Sequence, residues 1–225
     1  MEEKAPIIVL NFKAYRESIG KNGVELARIA KSVSDEFGTR IAAAPQFLDL
    51  KEIAALGIET FAQSADEFEP GSHTGAITLE AIKDSGCEGV IMNHAERRIS
   101  KPAIKKIILR AKGMGLETIL CTKDLAESVE LAALEPDYIA IEPPELIGSG
   151  ISVSRARPEI VADAVKGVSG ILGARVLCGA GISSAEDVRR AIELGASGVL
   201  LSSAYIKAKN PEGLLREMAE CIRGK

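Results

Sequence analysis

The chain has 225 residues, 46% of them hydrophobic, and a formal net charge of −4. That length and apolar content are enough for one well-buried core, within the range where α/β barrels form a single domain. The acidic balance excludes a global attraction to nucleic acid or to anionic membrane surfaces, so any anion must be held by local geometry.

Aromatic residues make up only 4% and tryptophan is absent, so Ile, Val, Leu and Ala must fill the interior. The acidic start "MEEK" is followed by no signal-type apolar h-region, which predicts no signal peptide. No apolar run approaches the ~20 residues that a membrane-spanning helix needs. Cys87, Cys121, Cys178 and Cys221 are widely spaced and form no CxxC or Cys/His cluster. They read as reduced, mostly buried thiols of a cytoplasmic protein.

In chain order, "PIIVLN" from Pro6 is the first strand candidate, with Asn11 and Lys13 at its end. "GVELARIAKSVSDEF" then places Val24, Leu26, Ile29, Ala30, Val33 and Phe37 on one helical stripe. "RIAAA" from Arg40 and "IETFAQ" from Ile58 follow, the latter closing on Gln63. "GVIMN" from Gly89 ends at Asn93 and His94, and "ETILC" from Glu117 is fifth. "YIAIE" from Tyr138 ends on Glu142, followed by Pro143, Pro144 and a Gly148–Gly150 segment. "ARVLC" from Ala174 runs into "CGAGIS". Next, "SSAEDVRRAIELG" opens with serines, carries acids in its first turn and stops at Gly195, which are helix start and stop signals. "GVLLS" from Gly198 leads to Ser202 and Ser203, and "PEGLLREMAECI" begins a helix with proline in its first turn.

The strand candidates are continuously apolar rather than alternating, as expected of parallel strands covered on both faces. Eight of them, each followed by a helix candidate and with no linker or composition break, leave two architectures: a closed eight-stranded barrel or an open doubly wound sheet. No GxGxxG follows the first strand, and the unit count favours a (β/α)8 barrel over residues 1–225 as a single domain.

Chemistry in such barrels sits at the C-terminal strand ends. Each polar residue there has a bland reading alone: Lys13 as a solvated charge, His94 as a turn cap, Glu142 as a loop acid. Their convergence on one rim is what gives them weight. Gly179 and Gly181 would let amides approach an anion, and Ser202 and Ser203 open a second such turn, a common placement for phosphate in this fold. With only two histidines and no ligand spacing, no metal and no cofactor are expected. What remains is proton abstraction beside a carbonyl: a carboxylate takes the proton, an imidazole donates to the enolate oxygen and an ammonium steadies its charge. Such an enediolate can expel its phosphate, so a lid is needed. Pro143 and Pro144 would stiffen its hinge, and "LIGSG" would bring an amide to the phosphate.

"NFK" (Asn11 to Lys13), "NHAERR" (Asn93 to Arg98), "IEPPELIGSG", "CGAGIS" and "GVLLSSA" together resemble triosephosphate isomerase, in order and over essentially the whole chain. The short length and the "EPPELIG" lid are similar to its compact archaeal branch. The resemblance implies a TIM barrel that interconverts dihydroxyacetone phosphate and D-glyceraldehyde 3-phosphate in glycolysis and gluconeogenesis. It implies Glu142 as base, His94 as neutral electrophile, Lys13 as cation with Asn11 orienting, and Glu96 as the partner of the lysine. Substrate contacts would come from the Asn11, Phe12, Lys13 motif and from amides at Ile147, Gly148, Gly181, Ser202 and Ser203. "GSHTG" resembles the third loop, which in the family enters a neighbouring subunit and here carries Thr74, with His73 an interface residue. A homo-oligomer, tetramer or dimer, is thus implied, with no nucleic-acid or membrane partner.

The sequence departs from many relatives at Ala95, in the "GAG" of the seventh loop and in the serines of the eighth, and "CTKD" after the fifth strand differs from the longer branch and has no physical reading in the sequence alone. Two alternatives stay open. One is a phosphate-binding aldolase or synthase using Lys13 as a Schiff-base nucleophile, which an adjacent Glu96 argues against. The other is a non-catalytic sugar-phosphate sensor.

Overall fold

A computed structural model describes residues 5–147, 152–169 and 174–223. Eight strands lie in it: β1 (Ile7–Asn11), β2 (Arg40–Ala44), β3 (Glu59–Ala62), β4 (Gly89–Met92), β5 (Glu117–Thr122), β6 (Tyr138–Ile141), β7 (Arg175–Cys178) and β8 (Gly198–Leu201). Each pairs in parallel with the next, and β8 returns to β1 in the register Ile7↔Gly198, Ile8↔Val199, Val9↔Leu200, so the barrel is closed. All eight strands fall where the apolar runs lie.

Why these runs need no polar alternation is visible in the packing. Ile7, Val9, Ala42, Ala44, Phe61, Ile91, Ile119, Tyr138, Ala140, Leu177 and Leu200 fill the inside of the barrel. Small alanines on β2 and β6 leave room for Phe61 and Tyr138, so the taper is filled without tryptophan. The alternate residues, such as Ile8, Leu10, Ile41, Ile139 and Ile141, face the helices. Both faces are dry, and each fully buried Ile or Leu contributes on the order of 1.5–3 kcal/mol. Gly198 closes the ring: its φ is +144°, and a Cβ there would lie 2.0 Å from the Ile7 carbonyl oxygen.

The first helix spans Lys21–Phe37 and ends at Gly38, whose φ of +61° is the left-handed stop. Its buried stripe is Val24, Leu26, Ala27, Ala30 and Val33, with Ile29 and Phe37 only half-buried, so Ala27 takes the central place expected of Ile29. The helix Ala185–Glu193 starts as expected: Ser184 Oγ accepts from the Asp187 amide while the Asp187 carboxylate accepts from the Ser184 amide at 3.0 Å. Asp187 also accepts from the Ser183 amide at 3.0 Å, which fixes the turn facing the barrel mouth.

Other connections depart from the simple alternation. Residues 63–78 form a long loop before the short helix Leu79–Asp84, and two helices follow both β6 and β8. Among the described residues, no helix is long and apolar enough to cross a membrane. All four cysteines are unpaired, and Cys87, Cys121 and Cys178 are buried.

Candidate active site

Lys13 follows β1 in a left-handed conformation, φ +49°. A non-glycine residue there carries strain of order 1–3 kcal/mol and persists only when neighbours over-determine it. Three amide side chains do so. Asn11 Oδ1 accepts from the Lys13 amide at 3.0 Å, while Gln46 and Gln63 donate to its carbonyl at 2.7 and 2.9 Å. The side chain is thereby aimed inward, and Nζ meets Glu96 Oε1 at 3.0 Å. Gln63 was legible as a strand-end residue. Gln46 was not, because its segment carries no pattern of its own.

The turn after β4 is also held in a left-handed conformation, at Asn93, φ +59°. The Asn93 side-chain amide donates to the Cys121 carbonyl at 3.0 Å, and its oxygen accepts from the Ile99 amide at 3.2 Å. This staple orients His94, only 7% exposed. The Glu96 backbone N–H donates to His94 Nδ1 at 3.2 Å, so in the neutral ring the proton sits on Nε2. Burial, and then the nearby Lys13 charge, push the imidazole down to about 4, against an opposing pull from Glu96. At neutral pH His94 is therefore an uncharged donor.

His94 Nε2 stands 3.6 Å from Glu142 Oε1. Glu142 leaves the end of β6, its amide bound to the Thr122 carbonyl at 2.8 Å, and is 4% exposed. Burial raises its carboxyl to about 7, although the Cys121 thiol and Lys13 act to lower it. Its Oε2 is buried without a hydrogen-bond partner among the described residues. An unsatisfied buried acceptor is costly, roughly 1–3 kcal/mol, and ready to take a proton. Gly179 explains how the side chain fits. A Cβ there would lie 2.5 Å from Glu142 Cγ, and the Gly179 amide donates to the Ile141 carbonyl at 3.1 Å. The sequence suggests Gly179 as an anion donor; its amide belongs to the strand ladder instead, and its missing side chain is space for the acid.

A cavity of about 390 Å³ gathers Asn11, Lys13, His94, Glu142, Ile147, Gly181, Ser202 and Ser203 at the barrel mouth. Gly181 has φ +70°, and Ser202 Oγ is buried without a hydrogen-bond partner among the described residues. The Ile147 amide donates to the Pro144 carbonyl at 3.3 Å, so in this conformation it is engaged within its own turn. Gly148 lies outside the described residues. Glu96 reaches the site through Lys13, its own side chain being largely exposed. Phe12, grouped by sequence with the substrate contacts, is fully buried in the outer core and does not line the cavity. Thr74 is exposed on the loop 63–78, which Asp66 pins through the Ile77 amide at 2.8 Å and Arg97 at 3.1 Å, with Phe68 stacked on His73.

Sequence reading missed Tyr15, Ile182, Ser183 and Lys207, which also line the cavity. Ile182 and Ser183 lie within the recognised "CGAGIS", and Tyr15 and Lys207 lie two and three residues beyond "NFK" and "GVLLSSA", so position in the loop was the available signal. "CTKD" also gains a reading: Asp124 caps the helix Leu125–Ala132, and Glu127 accepts from the Lys123 amide at 2.8 Å while pairing with Arg98. Among the described residues no group of histidine, cysteine or acidic side chains could hold a metal. The site thus combines a buried base, a neutral N–H donor and a fixed ammonium, the set required to enolise a carbonyl compound.

Comparison with known proteins agrees with this chemistry. The sequence profile of the family described as triosephosphate isomerase matches residues 6–221. A triosephosphate isomerase of Methanocaldococcus jannaschii is 52% identical over 218 residues, covering 96% of this chain and all of that protein. One of Methanothermus fervidus is 46% identical over 95% of this chain and 97% of its own, and one of Caldivirga maquilingensis is 44% identical over 99% and 100%.

Proposed function

The chain belongs to the triosephosphate isomerase family, intramolecular oxidoreductases that interconvert dihydroxyacetone phosphate and glyceraldehyde 3-phosphate, and on that premise we propose the roles of its side chains. Glu142, ionised, takes the proton from carbon 1 of dihydroxyacetone phosphate. The electron pair of that C–H bond forms the C1–C2 double bond, and the carbonyl oxygen on carbon 2 becomes the enediolate oxygen. His94 donates from Nε2–H to the oxygens as charge develops. Lys13, held by Asn11 and paired with Glu96, stabilises the same charge. His94 gives its Nε2 proton to the oxygen on carbon 2 and takes back the hydroxyl proton of carbon 1, so the ring ends neutral. The Glu142 carboxylic acid then returns a proton to carbon 2, and the electron pair left on the carbon 1 oxygen forms the aldehyde carbonyl. Amides at Gly181, Ser202 and Ser203, joined by those of Ile147 and Gly148 when the lid closes, would bind the phosphate.

The observation that carries this reading is the buried Glu142 carboxylate facing a neutral His94 across 3.6 Å at the cavity floor. The test is a coupled assay on glyceraldehyde 3-phosphate. The parent turns over, and Glu142→Gln loses about a thousandfold or more in kcat while still binding ligand. Undiminished turnover in Glu142→Gln removes it as the base, and borohydride trapping of substrate on Lys13 would favour the Schiff-base alternative instead.

The reading extends to the chain as one barrel domain in a homo-oligomer, tetramer or dimer, of the cytoplasm. Thr74 on its protruding loop would meet a neighbouring subunit. Large apolar side chains left open to solvent support association: Phe68 on that loop, and Leu48, 98% exposed. Four unpaired thiols fit a reducing compartment.

A further inference from the structure

The cavity holds a second lysine that the roles above leave unused. Among its described lining residues the cations are Lys13 and Lys207. Lys13 is paired with Glu96 at 3.0 Å, so the two sum to no net charge, and Glu142 adds a negative charge whenever it is ionised. A phosphate monoester brings about 1.5 to 2 further negative charges at neutral pH, into a chain whose own charge is −4. Backbone amides answer with dipoles but no net charge. A cation has to come from elsewhere on the rim.

Lys207 closes the one-turn helix Ser203–Ile206, its amide donating to the Ser203 carbonyl at 2.9 Å. It therefore belongs to the same turn whose start is the proposed phosphate cradle. Its ammonium stands 4.2 Å from the centroid of the Tyr15 ring, and Tyr15 lines the same cavity from the loop after β1. No carboxylate among the described residues pairs with it. That choice of holder has a physical consequence. A free lysine on the surface samples many rotamers, and fixing it is entropically costly. An aspartate could fix it but would cancel its charge. An aromatic face fixes the ammonium by cation–π attraction and leaves the charge available.

We propose that Lys207, presented on the ring of Tyr15, is a further binding residue for the phosphate of the substrate and supplies the net positive charge that the amide cradle lacks. The inference rests on the reading of this cavity as a sugar-phosphate site. It makes the loop after β1 two-handed: Lys13 serves the reacting carbons, while Tyr15 positions the cation for the phosphate.

The test compares the full-length parent with Lys207→Met, Lys207→Arg, Tyr15→Leu and Tyr15→Phe, all checked for parental melting temperature. The readouts are the KM for glyceraldehyde 3-phosphate and the inhibition constant of inorganic phosphate. Lys207→Met is expected to raise both about tenfold, the effect of removing one charge-assisted hydrogen bond. It should change kcat less, and its penalty should shrink at high salt. Tyr15→Leu raises both a few-fold. Lys207→Arg and Tyr15→Phe, which keep the cation and the aromatic face, recover most of the loss. Unchanged KM and phosphate inhibition in a folded, active Lys207→Met overturns the inference and leaves the isomerase reading standing. A parent that turns over no triose phosphate overturns that reading itself.

Discussion

The two ends of this barrel treat buried charge in opposite ways. At the N-terminal end, the first residues of β2, β3, β5, β6 and β7 (Arg40, Glu59, Glu117, Tyr138 and Arg175) form one closed network. Arg40 Nε donates to Glu59 at 2.8 Å and a terminal nitrogen donates to the Tyr138 hydroxyl at 2.7 Å, while the guanidinium also bridges to Glu117. Arg175 lies over the Tyr138 ring at 4.1 Å. Burial disfavours the Arg40 charge, but the hydrogen bonds to Glu59 and Glu117 hold it firmly protonated, and burial pushes Tyr138 up to about 12. At the C-terminal end Glu142 Oε2 and Ser202 Oγ are buried without a hydrogen-bond partner among the described residues. Groups satisfied at one pole hold the barrel shut; groups left unsatisfied at the other are where a ligand has work to do.

That contrast can be broken by substitution. The largest effect on rate at the mouth, after loss of the acid itself, is expected from Gly179→Ala. Its methyl would collide with Glu142 Cγ, and displacing the base by about an ångström costs on the order of a hundredfold in kcat, measured in the coupled assay. A full-rate Gly179→Ala would mean that the acid sits elsewhere during turnover. At the opposite pole, Arg40→Met leaves Glu59 and Glu117 uncompensated and is expected to destabilise by about 3 kcal/mol. Its kcat at temperatures below the transition should be parental, as denaturant unfolding and the same assay can show. If Arg40→Met lost rate and kept stability, the division between the two poles would be wrong.

Smaller effects sharpen the picture through pH. Glu142 must be ionised to act, so kcat/KM should climb with pH through about 7 and then level, while His94, neutral down to about 4, contributes no limb in that window. A midpoint near 4.5 would contradict the burial described for Glu142. Stability carries the opposite signature. A carboxyl raised from 4.5 to about 7 holds its proton longer in the folded state, so its contribution is full below 4.5 and lost as pH rises through 7. Glu142→Gln should remove that decline, and its stability advantage over the parent should narrow towards pH 4.5. For His94, depressed from 6.5 to about 4, the contribution is present above 6.5 and lost as pH falls towards 4.

Much of this molecule was legible in the sequence for one reason: a strand dry on both faces must be written as an unbroken apolar run. All eight runs qualified, and the strand ends then located Lys13, His94 and Glu142. What was not legible depended on distant neighbours. Gly179 reads as a flexible turn until Glu142 is seen occupying its missing side chain. Gln46 and Tyr15 belong to no period. The network around Arg40 was hidden in plain sight, because single charges at strand starts look like solvated ends until the closing of the barrel brings four of them together around Tyr138.

The left-handed kink at Lys13, locked by Asn11, Gln46 and Gln63, bears on redesign. Those amides come from the ends of three adjacent strands, so the lysine is aimed before any ligand arrives. Transplanting the first loop alone into another barrel would carry the residue without its aim; a working graft must bring all three amides as one module.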